Sequence, residues 1–293
     1  QNREIKHRTE KIMSIQIITD SASDITDRIR EDVTVLPMTI TFGETQYQDS
    51  VNLSHQEFYE RLIENGELPT TSQIPPFDFG TAIQKAVSEG KEVIIITLSS
   101  KLSGTYQSAC IAASEFKGNV YVVDSENVTV GERALVEYAL QLKDQGMDAP
   151  SLVEKLETEK KHIHLIALLD TLEYLKKGGR VSKAAAFAGG VLSIKPVIAI
   201  ENGEVVILGK ARGSKQGNNF LVQKIKECGI DFERPYFLGY TGLNDSLLKK
   251  YIEDSKELWA EHTKSLAIST VGGTIGTHAG PGAIAVAFFA QNW

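Results

Sequence analysis

The chain has 293 residues, 42% of them hydrophobic, with a formal net charge of −7 and a pI near 5.5. That apolar content is enough for one large core or two domains, and the acidic balance excludes a nucleic-acid binder. No apolar run reaches membrane-spanning length, the longest (283–290) being strand-sized.

Residues 1–12 are polar and of mixed charge, without the apolar stretch of a secretory signal. They read as a leader outside the fold, and Met13 reads as a natural start. Residues 15–19 predict a strand, followed by a short helix capped by Ser23 or Asp24. Residues 33–41 form a second strand-like run. Ser54 with Glu57 three positions later is a capping box opening a helix to about residue 64. Residues 69–76 read as a loop held extended by its prolines. A helix over 77–89 ends at Gly90, and 93–98 is a β-branched strand buried on both faces. A hydroxyl-rich loop then leads into a helix over 104–116 that opens near Ser103. A strand over 120–123 and helices over 132–143 and 151–160 follow. This repeated βα pattern predicts a parallel sheet with helices on both faces.

Beyond residue 160 the pattern changes. A strand over 163–169 precedes a short helix over 171–177 stopped by Gly178-Gly179. Residues 196–200 and 205–208 make a hairpin around Asn202-Gly203. Helices over 213–228 and 245–261 alternate with strands over 236–240 and 265–270. A glycine-rich loop, 272–282, leads into a last strand, 283–289. The expected organisation is an N-terminal α/β domain over 13–160 and a mixed α/β C-terminal domain over 161–293, with 1–12 outside both.

Four polar clusters bear on function: Thr70-Thr71-Ser72-Gln73; Ser99, Ser100, Ser103 and Thr105 with Gly104; Lys176-Lys177-Gly178-Gly179-Arg180 with Arg212; and 276–282, with Gly276, His278, Gly280 and Gly282. Ligands of open α/β sheets bind at strand carboxyl ends, where a helix N-terminus offers free N–H groups and partial positive charge. The serine loop therefore predicts a neutral anion cradle, suited to a carboxylate more than to a polyphosphate. Each cluster also has a structural reading: turn chemistry, a helix cap, a solvated helix C-terminus, or a packed histidine. His162 and His164 lack metal-ligand companions, and Cys110 and Cys228 read as reduced thiols in a cytosolic protein. Nucleophile-elbow, phosphate-loop and dinucleotide fingerprints are absent.

In this order the clusters resemble the DegV family, bacterial fatty-acid-binding proteins that serve as the lipid-carrying subunit of fatty acid kinase. The resemblance spans 15–289. It rests on Thr19-Asp20-Ser21, the Thr-Thr-Ser-Gln at 70–73, and the Leu-Ser-Ser-x-Leu-Ser-Gly-Thr-Tyr at 98–106. It continues through Val-Asp-Ser at 123–125, Leu-Lys-Lys-Gly-Gly-Arg-Val-Ser at 175–182, Ile-Lys-Pro at 194–196 and Gly-Thr-His-x-Gly-Pro-Gly at 276–282. Ile74 departs from the family's usual proline. The resemblance implies a two-domain α/β fold holding one long-chain fatty acid of the palmitate or stearate class and no other cofactor. Thr71 and Ser103 would bind the carboxylate, with Thr70 and His278 in the same network. Ser72, Ser99, Ser100, Gly104, Thr105, Gly280 and Gly282 would support them. Arg212, Lys177 and Arg180 would face a kinase that phosphorylates the carboxylate to an acyl phosphate. The protein would then be a cytoplasmic, non-catalytic carrier serving phospholipid metabolism, with no membrane contact beyond a transient one. Burying about 14 methylenes at roughly 0.8 kcal/mol each offers about 11 kcal/mol gross. Two other classes stay open on the residues: a hydrolase or acyl transferase using Ser103 with His278 as base, and a sensor whose occupancy controls a partner.

Overall fold

The computed structural model describes residues 14–25, 31–66, 68–181 and 194–291, so the leader and Met13 lie outside the described residues. The fold is α/β, built on three sheets. In chain order come β1 (Ile15–Asp20), β2 (Val33–Leu36), β3 (Thr39–Phe42), β4 (Thr45–Gln48), α1 (His55–Asn65), β5 (Thr70–Ser72) and α2 (Pro76–Ser88). Next are β6 (Glu92–Thr97), α3 (Thr105–Ala113), β7 (Val120–Asp124), α4 (Thr129–Asp144) and α5 (Ala149–Glu159). Then follow β8 (Ile163–Leu168), α6 (Glu173–Lys177), β9 (Ile194–Glu201), β10 (Glu204–Arg212) and α7 (Gly213–Cys228). The chain continues with β11 (Phe237–Tyr240), α8 (Ser246–Asp254), α9 (Lys256–Trp259), β12 (Ile268–Thr270), α10 (Gly273–Ala279) and β13 (Ile284–Phe289).

The first sheet is parallel, in the order β2-β1-β6-β7. The second is mixed, β10-β9-β8-β13-β11-β12, with only β11 and β12 parallel. The third, β4-β3-β5, is small and antiparallel. Helix α4 packs against both larger sheets and is buried along nearly its whole length, Glu132, Arg133 and Glu137 included. One face of the mixed sheet meets that core; the other carries Ile166, Leu168, Leu238 and Val286 against Leu221, Leu248, Tyr251 and Trp259.

Several expectations hold closely. Ser54 and Glu57 form the reciprocal capping box, and the hairpin turns at Asn202-Gly203 with both residues at positive φ. Five do not. The run 33–41 is two strands in different sheets, because Pro37 has no N–H to extend the parallel ladder. The loop 69–76 contains β5, paired to β3. Asp20, not Ser23 or Asp24, caps the turn after β1; Asp24 ends it in a left-handed conformation, and residues 26–30 of the expected helix lie outside the described residues. The helix expected over 245–261 breaks at buried Ser255, whose hydroxyl donates to Tyr251 O and accepts from Trp259 Nε1.

The fifth difference matters most for function: the glycine-rich segment 272–282 is not a loop but contains helix α10. Tertiary packing overrides glycine's low helix propensity here. A Cβ at Gly276 would stand 2.5 Å from the Tyr59 hydroxyl, so only glycine lets α10 lie this close to α1.

Candidate functional site

Along the inner face of the mixed sheet, neighbouring strands align Gly239 with Ala285, Ala285 with Ala167 and Ala167 with Ile198. Side chains on a strand alternate between faces, so this row of small residues leaves a trough. Above it lies a cavity of about 880 Å³ of atom-free space including its mouth, walled by Leu98, Leu102, Val128, Val271 and Ile275. Its lining is mostly apolar with a few placed polar groups, the pattern of small-molecule sites.

The polar lining includes Thr71, Gln73, Ser103, Arg180 and His278, together with Thr129, Tyr240, Thr241 and Thr274. Thr71 Oγ1 lies 2.9 Å from His278 Nε2. Ser103 Oγ lies 3.0 Å from Thr105 Oγ1 and accepts from the Thr105 N–H. Gln73 lies over Gly104 and donates to Ser108 Oγ. Burial, reinforced by Arg180, pushes the His278 pKa down to about 4, so the imidazole is neutral at neutral pH. Its Nδ1 is buried with no partner among the described residues.

Some expected site residues stand elsewhere. Thr70 is exposed and outside the lining, since it alternates with Thr71 along β5. Arg180 does not face outward: it lines the cavity, donating from Nε to Leu102 O at 3.1 Å and from a terminal nitrogen to Gly178 O at 2.6 Å. The cradle is therefore not purely neutral. The buried Ser99 hydroxyl donates to Gly203 O, pinning the β9–β10 turn to the serine loop. Ser72 and Ser100 are exposed; Gly280 packs under Tyr174 and Gly282 beside Asp170, and neither lines the cavity. Lys177 and Arg212 are exposed. No Ser103–His278 pair forms; the imidazole is turned to Thr71.

Behind the cavity lies a cluster the sequence reading did not find. Asp20 accepts from the N–H groups of Ala22 and Leu98, and Glu132 from Thr19 Oγ1. Asp24 accepts from Gly272 N and Thr129 Oγ1; Asp49 accepts from Gly273 N, Thr274 N and Thr274 Oγ1. Burial raises the Asp20 pKa to about 7 and pushes Asp24 and Glu132 well above the carboxylate range. The only local sign was the Thr19-Asp20-Ser21 motif, because Asp49 and Glu132 come from segments far from Asp20 and Asp24.

Among the described residues no group of three or more His, Cys, Asp or Glu could hold a metal ion, and no helix is long and apolar enough to cross a membrane. His164 stacks on Phe288 with Nδ1 3.7 Å from Cys228 Sγ; both cysteines are free.

The family model described as "Uncharacterised protein, DegV family" matches residues 14–291. A DegV domain-containing protein of Caldanaerobacter subterraneus subsp. tengcongensis is 36% identical over 278 residues, covering 94% of this chain and 98% of the relative. A fatty-acid-binding DegV family protein from Thermus thermophilus superimposes with a TM-score of 0.85 at 30% identity, covering 95% of this chain and all of that one. A stearic-acid-binding protein from Eubacterium ventriosum gives a TM-score of 0.80 at 26% identity, covering 94% and 98%.

Proposed function

This chain belongs to the DegV family, and we propose that it holds one long-chain fatty acid in the cavity and presents the carboxylate to a partner fatty acid kinase for acyl-phosphate formation. The observation that carries this reading is that the trough of small residues and the polar side chains of Thr71, Ser103 and His278 line one cavity. The acyl chain lies along Gly239, Ala285 and Ala167, and the carboxylate sits at the polar end. The fatty-acid-binding relatives support the ligand class.

The polar end suits a carboxylate that must later react. In the tautomer protonated at Nε2, a neutral His278 donates to Thr71 and leaves the Thr71 hydroxyl proton free for the ligand. Ser103 supplies a second hydroxyl, and Arg180 supplies charge. Two of its five guanidinium N–H donors, Nε–H among them, are committed to the carbonyls of Leu102 and Gly178, which leaves Arg180 fewer donors for a bidentate clamp on the carboxylate. One oxygen stays available to attack a phosphoryl donor. The protein itself makes and breaks no bond. Exposed Arg212 and Lys177 are the candidates for the kinase-facing surface.

Native mass spectrometry followed by organic extraction is the direct test. One fatty acid per chain is expected; an empty protein that also refuses added palmitate overturns the reading. Thr71→Ala and Ser103→Ala are each expected to weaken palmitate binding by about 1–3 kcal/mol, roughly tenfold to a hundredfold. Unchanged affinity in both moves the carboxylate elsewhere.

A third substitution tests the His278 orientation. A Cβ at Gly178 would stand 2.2 Å from His278 Nδ1. Gly178→Ala is expected to turn the ring off Thr71 and lower palmitate affinity about tenfold. Isothermal calorimetry reads the loss, and a variant that binds as wild type shows that the ring position is not needed.

A further inference from the structure

His278 sits near the end of α10, and what fixes that helix is not its own segment. Its first N–H groups are taken by side chains from far earlier in the chain: Gly272 N by Asp24 Oδ1 at 2.7 Å, Gly273 N by Asp49 Oδ1 at 3.3 Å and Thr274 N by Asp49 Oδ2 at 3.0 Å. The Thr274 hydroxyl adds a 2.5 Å bond to the same Asp49 oxygen. Asp49 is itself anchored: its N–H donates to Met38 O at the start of the small sheet, and its carboxylate accepts from Ser21. That same sheet carries Thr71 on β5, paired through β3. Asp49 thus ties the helix bearing His278 to the sheet bearing Thr71.

We propose that Asp49 is the positioning residue of the carboxylate end, setting the height and rotation of α10 so that His278 Nε2 meets Thr71. The inference rests on the fatty-acid reading for its consequence, though not for its geometry. A helix rises about 1.5 Å per residue, so His278 is about one and a half turns from the clamp and moves with it. Loss of the clamp leaves the Gly273 and Thr274 N–H groups buried without acceptors, and α10 shifts or rotates to find them. Displacement of about 1 Å is enough to break a hydrogen bond of 2.9 Å. The acyl trough, made by β8, β11 and β13, does not depend on Asp49.

Two ligands separate a positioning role from general damage: palmitate, and hexadecanol, which has the same tail and no carboxylate. Asp49→Ala is expected to weaken palmitate about tenfold to a hundredfold while changing hexadecanol less than about threefold. Asp49→Asn, which keeps one acceptor oxygen, is expected to fall between and serves if the alanine variant does not fold. In protein labelled with ¹⁵N-histidine, the His278 ring resonances are expected to move in both variants. Equal losses for the two ligands, or His278 resonances unchanged with palmitate affinity intact, overturn the proposal. Should wild type bind no palmitate, the fatty-acid reading fails by itself, and the His278 resonances alone decide whether Asp49 holds the ring.

Discussion

Ala285→Phe is expected to cost the protein its affinity for long-chain acids by a hundredfold or so while sparing short ones. Ala285 lies in the centre of the small-residue row, between Gly239 and Ala167 on the strands to either side. A phenyl ring there fills the trough where the acyl chain lies and displaces about four methylenes. At roughly 0.8 kcal/mol per buried methylene, the loss is about 3 kcal/mol for a chain long enough to reach the ring and none for one that is not. The substitution fills a space rather than emptying one, so the stability cost is limited to local overpacking of about 1–3 kcal/mol. Calorimetric titration with a series of saturated acids checks it: affinity should stop rising with chain length at the ring. A parallel loss at every length would place the chain elsewhere or mean that the carboxylate end was damaged. Affinity unchanged at every length would remove the acyl chain from this trough.

How much of this was readable beforehand depends on how local each signal was. The βα alternation, the capping box at Ser54 and the Asn202-Gly203 turn are set by residues within a few positions of one another, and each appears where expected. Thr71, Ser103 and His278 carried motifs and do line one cavity. Arg180 was misplaced because Lys176-Lys177-Gly178-Gly179-Arg180 resembles a solvated helix end; only the fold brings its guanidinium back to Leu102 O. Helix α10 was hidden by its glycines. They weaken a helix in isolation, whereas here the clamp of Asp24 and Asp49 and close packing on Tyr59 hold it. The trough had a faint signature in the alternating alanines at 283, 285 and 287. Its depth, however, depends on Gly239 and Ala167 aligning from other strands. Spacing in sequence cannot supply such register.

The buried acids and His278 give stability two pH dependences of opposite sign, which single variants should separate. Asp20 holds its proton up to about pH 7 in the folded chain because burial disfavours its charge. In the unfolded chain it releases that proton near pH 4. Between these values the native state binds more protons, so this contribution is full below about pH 4 and is lost as pH rises through 7. Over about three units it amounts to roughly 4 kcal/mol. His278 runs the other way. Its folded pKa of about 4 lies below the ordinary value of 6.5, so its contribution is present above 6.5 and lost as pH falls toward 4, a change of roughly 3 kcal/mol. Within pH 4–6.5 these two slopes oppose each other, and Asp24 and Glu132, also raised by burial, add to the Asp20 slope. Comparing each variant with wild type isolates the group replaced. Asp20→Asn loses the N–H acceptor facing Leu98 and is destabilised throughout, but the deficit against wild type should shrink as pH rises from 4.5 to 8. For His278→Gln the difference from wild type should instead move in the variant's favour as pH falls from 7 to 4.5. Urea midpoints across that range measure both. Deficits that do not change with pH in either variant would mean that these groups titrate alike in the folded and unfolded chain, and that burial behind the cavity does not hold their protons as described.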